Sequence, residues 1–139
     1  MEKTAPGRGM LKVVGILGIV FGGINSIMVL FGLLTAEFWD AVMPATGGIP
    51  WEVYYLFAFV VVGYGIFASI MAIVHCATLE KASFLKTLGV ISVILVVIFG
   101  IVDVSVIGAA AAVMLPINLV LPILYIVGAS RNVKAFEGR

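Results

Sequence analysis

Charge is what this sequence has least of. Its 139 residues include eight basic and seven acidic side chains, 11% of the chain, against 63% hydrophobic residues. A soluble domain carries roughly a quarter charged residues, so these few cannot coat a globule in water, and an ordinary cytosolic enzyme is excluded. The net charge of +1 lacks the basic footprint of a nucleic-acid binder, and the apolar content excludes a disordered tail. One cysteine excludes an intrachain disulfide framework and any multi-cysteine metal site. His75 is the lone histidine, and it and Cys76 are too few ligands for a metal, which needs about four. No G-x-S-x-G, H-x-x-x-H or phosphate-cradling glycine loop occurs, since Gly15, Gly18 and Gly22 fall inside an apolar run. The chain is therefore expected to be non-enzymatic, with no catalytic residues, no metal and no cofactor.

What is present is long stretches of grease. A bilayer core of roughly 30 Å requires about 20 apolar residues of helix. Residues 13–34 and 53–77 are uncharged, and residues 87–130 hold a single charge, Asp103. That last stretch is too long for one helix and suits two joined by a turn near 107–111, where Gly108 opens a run of alanines. The expected fold class is all-α integral membrane: four transmembrane helices in an antiparallel bundle. Residues 1–139 form one four-span domain, with spans at about 13–34, 53–77, 87–106 and 112–130 and an outer loop at 35–51. A cleaved signal peptide is the competing reading of the first run, but the run exceeds a usual h-region and its removal would leave an odd count.

The charges give the direction. Lys3, Arg8 and Lys12 precede the first span, Lys81 and Lys86 lie between the second and third, and Arg131, Lys134 and Arg139 follow the fourth. The other side carries Glu37, Asp40 and Glu52 and no Lys or Arg. The positive-inside rule then puts both termini in the cytoplasm, in the plasma membrane of the cell. In the outer loop, Phe38, Trp39, Val42 and Met43 recur at helical spacing before Pro44, Gly47, Gly48 and Pro50 break the pattern. A short interfacial helix is expected there, with Trp39 and Trp51 as headgroup-level anchors. The alternative is a lid or partner-docking surface.

Without a hydrophobic drive between helices in lipid, small residues must let spans approach. Gly18, Gly22 and Ser26 form a small-xxx-small ladder on the first span, and Gly65 and Ser69 lie on a similar stripe of the second. Gly89, Ser92, Gly100 and Asp103 share a face of the third, and Asn118, Pro122, Tyr125 and Ala129 share one of the fourth. Polar groups at membrane depth are the place to look for function. With a rise of about 1.5 Å per residue, Asn25 and Asn118 both lie about 18 Å, and Asp103 roughly 24 Å, from the cytoplasmic ends of their spans. Pro122 removes the helical partner of the Asn118 carbonyl, as Pro116 does for Ala112. The candidate intramembrane polar site is thus Asn25, Asp103 and Asn118, binding a small cation or relaying a proton. The structural alternative is that the amides bond across helices and Asp103 reaches the outer interface.

The segment Leu11-Lys12-Val13-Val14-Gly15 has an echo in Leu85-Lys86-Thr87-Leu88-Gly89. Together with the Lys-rich start, the long first outer loop, the short basic inner loop and the basic tail, Leu11-Lys12-x-x-Gly15 resembles small four-span families common in bacteria. That resemblance implies a layout and carries no activity. Small multidrug exporters have an embedded Glu in the first span, where this chain has Asn25; claudins and tetraspanins have outer-loop cysteines, and residues 35–51 have none. The function expected is an accessory or interaction protein whose partners are the lipid bilayer and either a second copy or another membrane protein, with no nucleic acid. The alternative is a small transporter or ion or proton pathway through Asn25, Asp103 and Asn118.

Overall fold

The computed structural model describes residues 4–44 and 47–138. Lys3 and Arg139, two of the basic residues counted above, lie outside the described residues. Five α-helices follow one another: α1 (Arg8–Leu34), α2 (Ala36–Val42), α3 (Trp51–His75), α4 (Ala82–Ile107) and α5 (Met114–Glu137). Short 3-10 turns at Leu79–Lys81 and Ala109–Val113 precede α4 and α5, and no strand occurs among the described residues. Four of these helices are long and apolar enough to cross a membrane. Leu34 is 85% exposed and Ile27 71% exposed, and a continuous apolar surface of such side chains would be intolerable in water. The protein is all-helical, and its four apolar helices mark it as a small multi-pass membrane protein.

Glycine and proline punctuate the chain where helix must stop. Gly108 has a φ of 109° and ends α4 before the 3-10 turn. A side chain at that backbone conformation would be strained. Pro50 precedes α3 in extended backbone, where its missing N–H costs no helical hydrogen bond. Pro116 is the third residue of α5, and Ala112 belongs to the preceding 3-10 turn. An N–H that early in a helix has no helical partner in any case. The carbonyl freed by a proline in this region is therefore that of Asn118 alone, opposite Pro122 inside α5. The helices also outrun the apolar segments: α1 starts at Arg8, and α5 runs to Glu137.

Each long helix packs chiefly against two others, in the cyclic order α1, α3, α4, α5 and back to α1. Glycines set the approach. A Cβ on Gly15 would meet the Ser69 carbonyl oxygen at 2.8 Å and Ile73 at 2.7 Å, and one on Gly22 would meet Ile66 at 2.6 Å. Gly32, farther along, lies against the Tyr55 ring. On the other seam, Gly89 faces Tyr125 and Ile126, and Gly100 faces Leu115. In both pairs the contact runs in opposite chain directions. The main core sits at the end holding the chain termini, where Leu11, Val14, Ala68, Ala72, Leu85, Leu88, Tyr125 and Ala129 pack together. A smaller cluster of Ala36, Trp51, Tyr54 and Val106 lies at the α2 end.

Of the residues expected to pack helices, Gly18 lies against the Ser69 side chain and Gly22 against Ile66. Ser26 turns inward on its own helix, its Oγ donating to the Gly22 carbonyl at 2.8 Å. Gly65 has no neighbour within 4 Å of a notional Cβ, so it faces space rather than a helix. These differences make a test. Gly15→Ala should lower stability by about 1–3 kcal/mol, because a backbone carbonyl cannot step aside. Gly23, by contrast, meets nothing within 4 Å. Gly23→Ala should be neutral or stabilising by up to about 1 kcal/mol through helix propensity. Thermal unfolding of both variants in the same detergent reads the contrast.

Candidate functional site

The cyclic order leaves space at the centre. A cavity of about 730 Å³ lies among α1, α3, α4 and α5, walled by valine, leucine, glycine and aromatic side chains. No charged side chain lines it. Six of its lining residues are exposed, and all six come from two helices: Phe21, Asn25 and Met28 of α1, and Ile117, Asn118 and Val120 of α5. Those from α3 and α4 are buried or half-buried. The mouth is therefore lateral, between α1 and α5. The same two helices are pinned together at the terminal end, where Gly128 lies against Leu11 and Gly7.

Most polar groups of the wall are already engaged. Ser69 Oγ donates to the Gly65 carbonyl at 2.7 Å, and Ser92 Oγ and Tyr64 OH both donate to the Leu88 carbonyl at 3.0 Å. Tyr125 OH donates to the Ala68 carbonyl, also at 3.0 Å. Asn25 and Asn118 are different: among the described residues neither carboxamide has a hydrogen-bond partner, so neither bonds across helices within this chain. Leu11 and Gly128 mark the terminal-end contact of α1 with α5. Measured from it at the helical rise, Asn25 lies about 21 Å along α1 and Asn118 about 15 Å back along α5. Both lie toward the α2 end of their helices, Asn25 in the second half of α1 and Asn118 one turn into α5, and Pro122 near Asn118 lines the same cavity.

Asp103 sits elsewhere. It is 8% exposed on α4 and accepts a hydrogen bond at 2.5 Å from the Tyr54 hydroxyl of α3. Phe99 stacks on the Tyr54 ring (5.6 Å, 28°), and Trp51 meets it edge-on (5.5 Å, 86°). Tyr54 lines the cavity and Asp103 does not. The structure thus brings Asn25 and Asn118 into one chamber and places Asp103 outside it, behind an aromatic wall near the α2 end of α4. Sequence reasoning passed over Tyr54. The available signal was depth: a carboxyl inside a span needs a donor, and Tyr54 is the hydroxyl near the matching end of the preceding span.

The two tryptophans also separate. Trp39 is half-buried, and its Nε1 donates to Thr35 Oγ1 at 3.0 Å. Trp51 is only 5% exposed; its Nε1 donates to the Met43 carbonyl at 2.8 Å, and Asp40 Oδ1 accepts from its backbone N–H at 3.4 Å. Its indole therefore fastens α2 to the start of α3 from inside instead of reaching outward. Cys76 is buried at the end of α3, and no three His, Cys, Asp or Glu side chains gather among the described residues. No family model matches the chain, and neither a curated protein nor a solved structure is significantly similar to it.

Proposed function

We propose that this chain is a non-enzymatic accessory protein of the cell membrane, an antiparallel four-span bundle with both termini in the cytoplasm. It associates within the bilayer with a second copy or another membrane protein. The observation that carries this reading is the separation of Asp103 from Asn25 and Asn118. The ion or proton path considered above runs through Asp103 together with the amides, and Asp103, bonded to the Tyr54 hydroxyl, does not line their chamber. Support for the orientation comes from charge placement. Arg8, Lys12, Lys81, Lys86, Arg131 and Lys134 all belong to the terminal end, and Glu37, Asp40 and Glu52 to the α2 end, the asymmetry that directs basic ends inward.

Reconstituted into proteoliposomes, the protein should pass no more protons or monovalent cations than protein-free vesicles. Crosslinking in native membranes should recover a second copy or one discrete membrane partner. A cation-dependent flux that Asp103→Asn abolishes while the protein stays folded would replace this reading with an ion pathway.

A further inference from the structure

We infer that the central cavity is a binding site for one neutral, lipid-phase small molecule whose carbonyl or hydroxyl group is held by Asn25 and Asn118, entering sideways between α1 and α5. This goes beyond the accessory role and does not depend on it. Size restricts the occupant first. A membrane-spanning helix about 10 Å across and about 30 Å long runs the full thickness of the bilayer, whereas this half-open cavity of about 730 Å³ is closed at the terminal end. That volume lies within the range of about 300–1,000 Å³ typical of small-molecule pockets. A full-length partner helix therefore fits across the mouth rather than within the chamber.

Charge restricts it next. The lining offers no side chain of either sign, so an ammonium, carboxylate or phosphate would be buried without a partner. What the wall does offer is two carboxamides, each with an N–H₂ donor and a carbonyl acceptor, unengaged within the protein. A carbonyl or hydroxyl is satisfied by such a pair. Tyr55 adds a third hydrogen-bonding group, its hydroxyl having no partner among the described residues, and the rest of the wall is largely apolar and rich in rings, Phe21 and Phe99 among them, which suits a hydrocarbon or flat apolar body.

Location restricts it last. The exposed lining residues lie between α1 and α5 inside the apolar spans, toward their α2 ends, and the terminal end is closed where Gly128 meets Leu11 and Gly7. A ligand that reaches these amides has travelled through hydrocarbon, where a small uncharged polar group crosses far more readily than a zwitterionic or charged head. The bilayer core, not the water phase, is the source.

Photolabelling tests this on the full-length protein in vesicles of neutral phospholipid. The probes are a long-chain fatty alcohol with a diazirine near its hydroxyl and the same chain ending in trimethylammonium. The alcohol should label α1 between Phe21 and Met28 and α5 between Ile117 and Val120, and excess unlabelled alcohol should suppress that label. The trimethylammonium probe should not label these segments above its background on the outward helix faces. Asn25→Leu and Asn118→Leu should each weaken the alcohol's apparent affinity about fivefold, the loss of one ordinary hydrogen bond. Both side chains are exposed and unpartnered, so the variants should unfold at the native temperature. Labelling scattered evenly over the outward faces, equal capture of the two probes, or an alcohol affinity unmoved by both variants overturns the site. Flux measurements decide the accessory reading separately, so either conclusion can fail while the other stands.

Discussion

Replacing Asn132 by alanine is expected to destabilise the protein by about 2–4 kcal/mol, more than any other single substitution on the terminal half, because it strips partners from two backbone groups at once. Asn132 is fully buried on α5. Its Oδ1 accepts from the Gly7 N–H at the start of α1 at 2.6 Å, and its Nδ2 donates to the Cys76 carbonyl at the end of α3 at 3.1 Å. One carboxamide therefore fastens three helices. Gly7 has no room to adjust, since a side chain there would collide with the Gly128 carbonyl. Asn132→Asp should fare no better: the carboxylate still accepts from Gly7 but has no proton to offer Cys76. Arg131 is one residue away and exposed. Arg131→Ala should cost under about 0.5 kcal/mol, the usual range for surface positions. Thermal unfolding in detergent measures all three. The rate of maleimide capture of Cys76, 7% exposed in the native protein, gives a second readout that should rise in Asn132→Ala and stay low in Arg131→Ala.

That residue also marks the edge of what the sequence disclosed. The long helices were legible because the bilayer imposes a single length and nearly uniform polarity, and the break at Gly108 was legible because lipid tolerates no surplus backbone. The α4 stripe was equally plain: Gly89, Ser92, Gly100 and Asp103 share a face by spacing, and all four are buried. Asn132 was not, because it lies beyond the apolar run in a stretch that reads as a solvated basic tail. Only the continuation of α5 to Glu137, held against the start of α1, turns it inward. The small-residue stripes misled in one respect. Spacing places Gly65 and Asn25 with the packing residues of their helices, but it cannot say whether a neighbour arrives. α1 and α5 are drawn together where Gly7, Leu11, Gly128 and Asn132 meet, and the same stripes farther along face a cavity. Whether a stripe meets a neighbour is a property of helix pairs, so no single helix encodes it.

The Tyr54–Asp103 pair gives the second large effect, and its size depends on which partner is changed and to what. Tyr54→Phe keeps the ring between Phe99 and Trp51 but leaves the Asp103 carboxyl, 8% exposed, without its donor. An orphaned buried acceptor costs about 1–3 kcal/mol, with charged groups toward or beyond the top of that range. Asp103→Asn retains a carbonyl oxygen that accepts from the same hydroxyl and should cost less than about 1 kcal/mol, the worth of one altered but intact hydrogen bond. Asp103→Leu alone strands the tyrosine hydroxyl. Combining it with Tyr54→Phe removes both polar groups from an aromatic, apolar surrounding and should recover most of the loss, since replacing both partners is close to neutral. A double-mutant cycle by detergent unfolding should return a coupling energy of about 1.5–3 kcal/mol for these contacting residues. Coupling near zero would mean the pair contributes nothing to holding α3 on α4, and the aromatic wall that divides Asp103 from the cavity would then rest on ring packing alone. A large coupling together with an unchanged, flux-free Asp103→Asn protein assigns the carboxyl a purely structural duty, fixing the α2 end of the helices so that the amide-lined chamber stays open beside it.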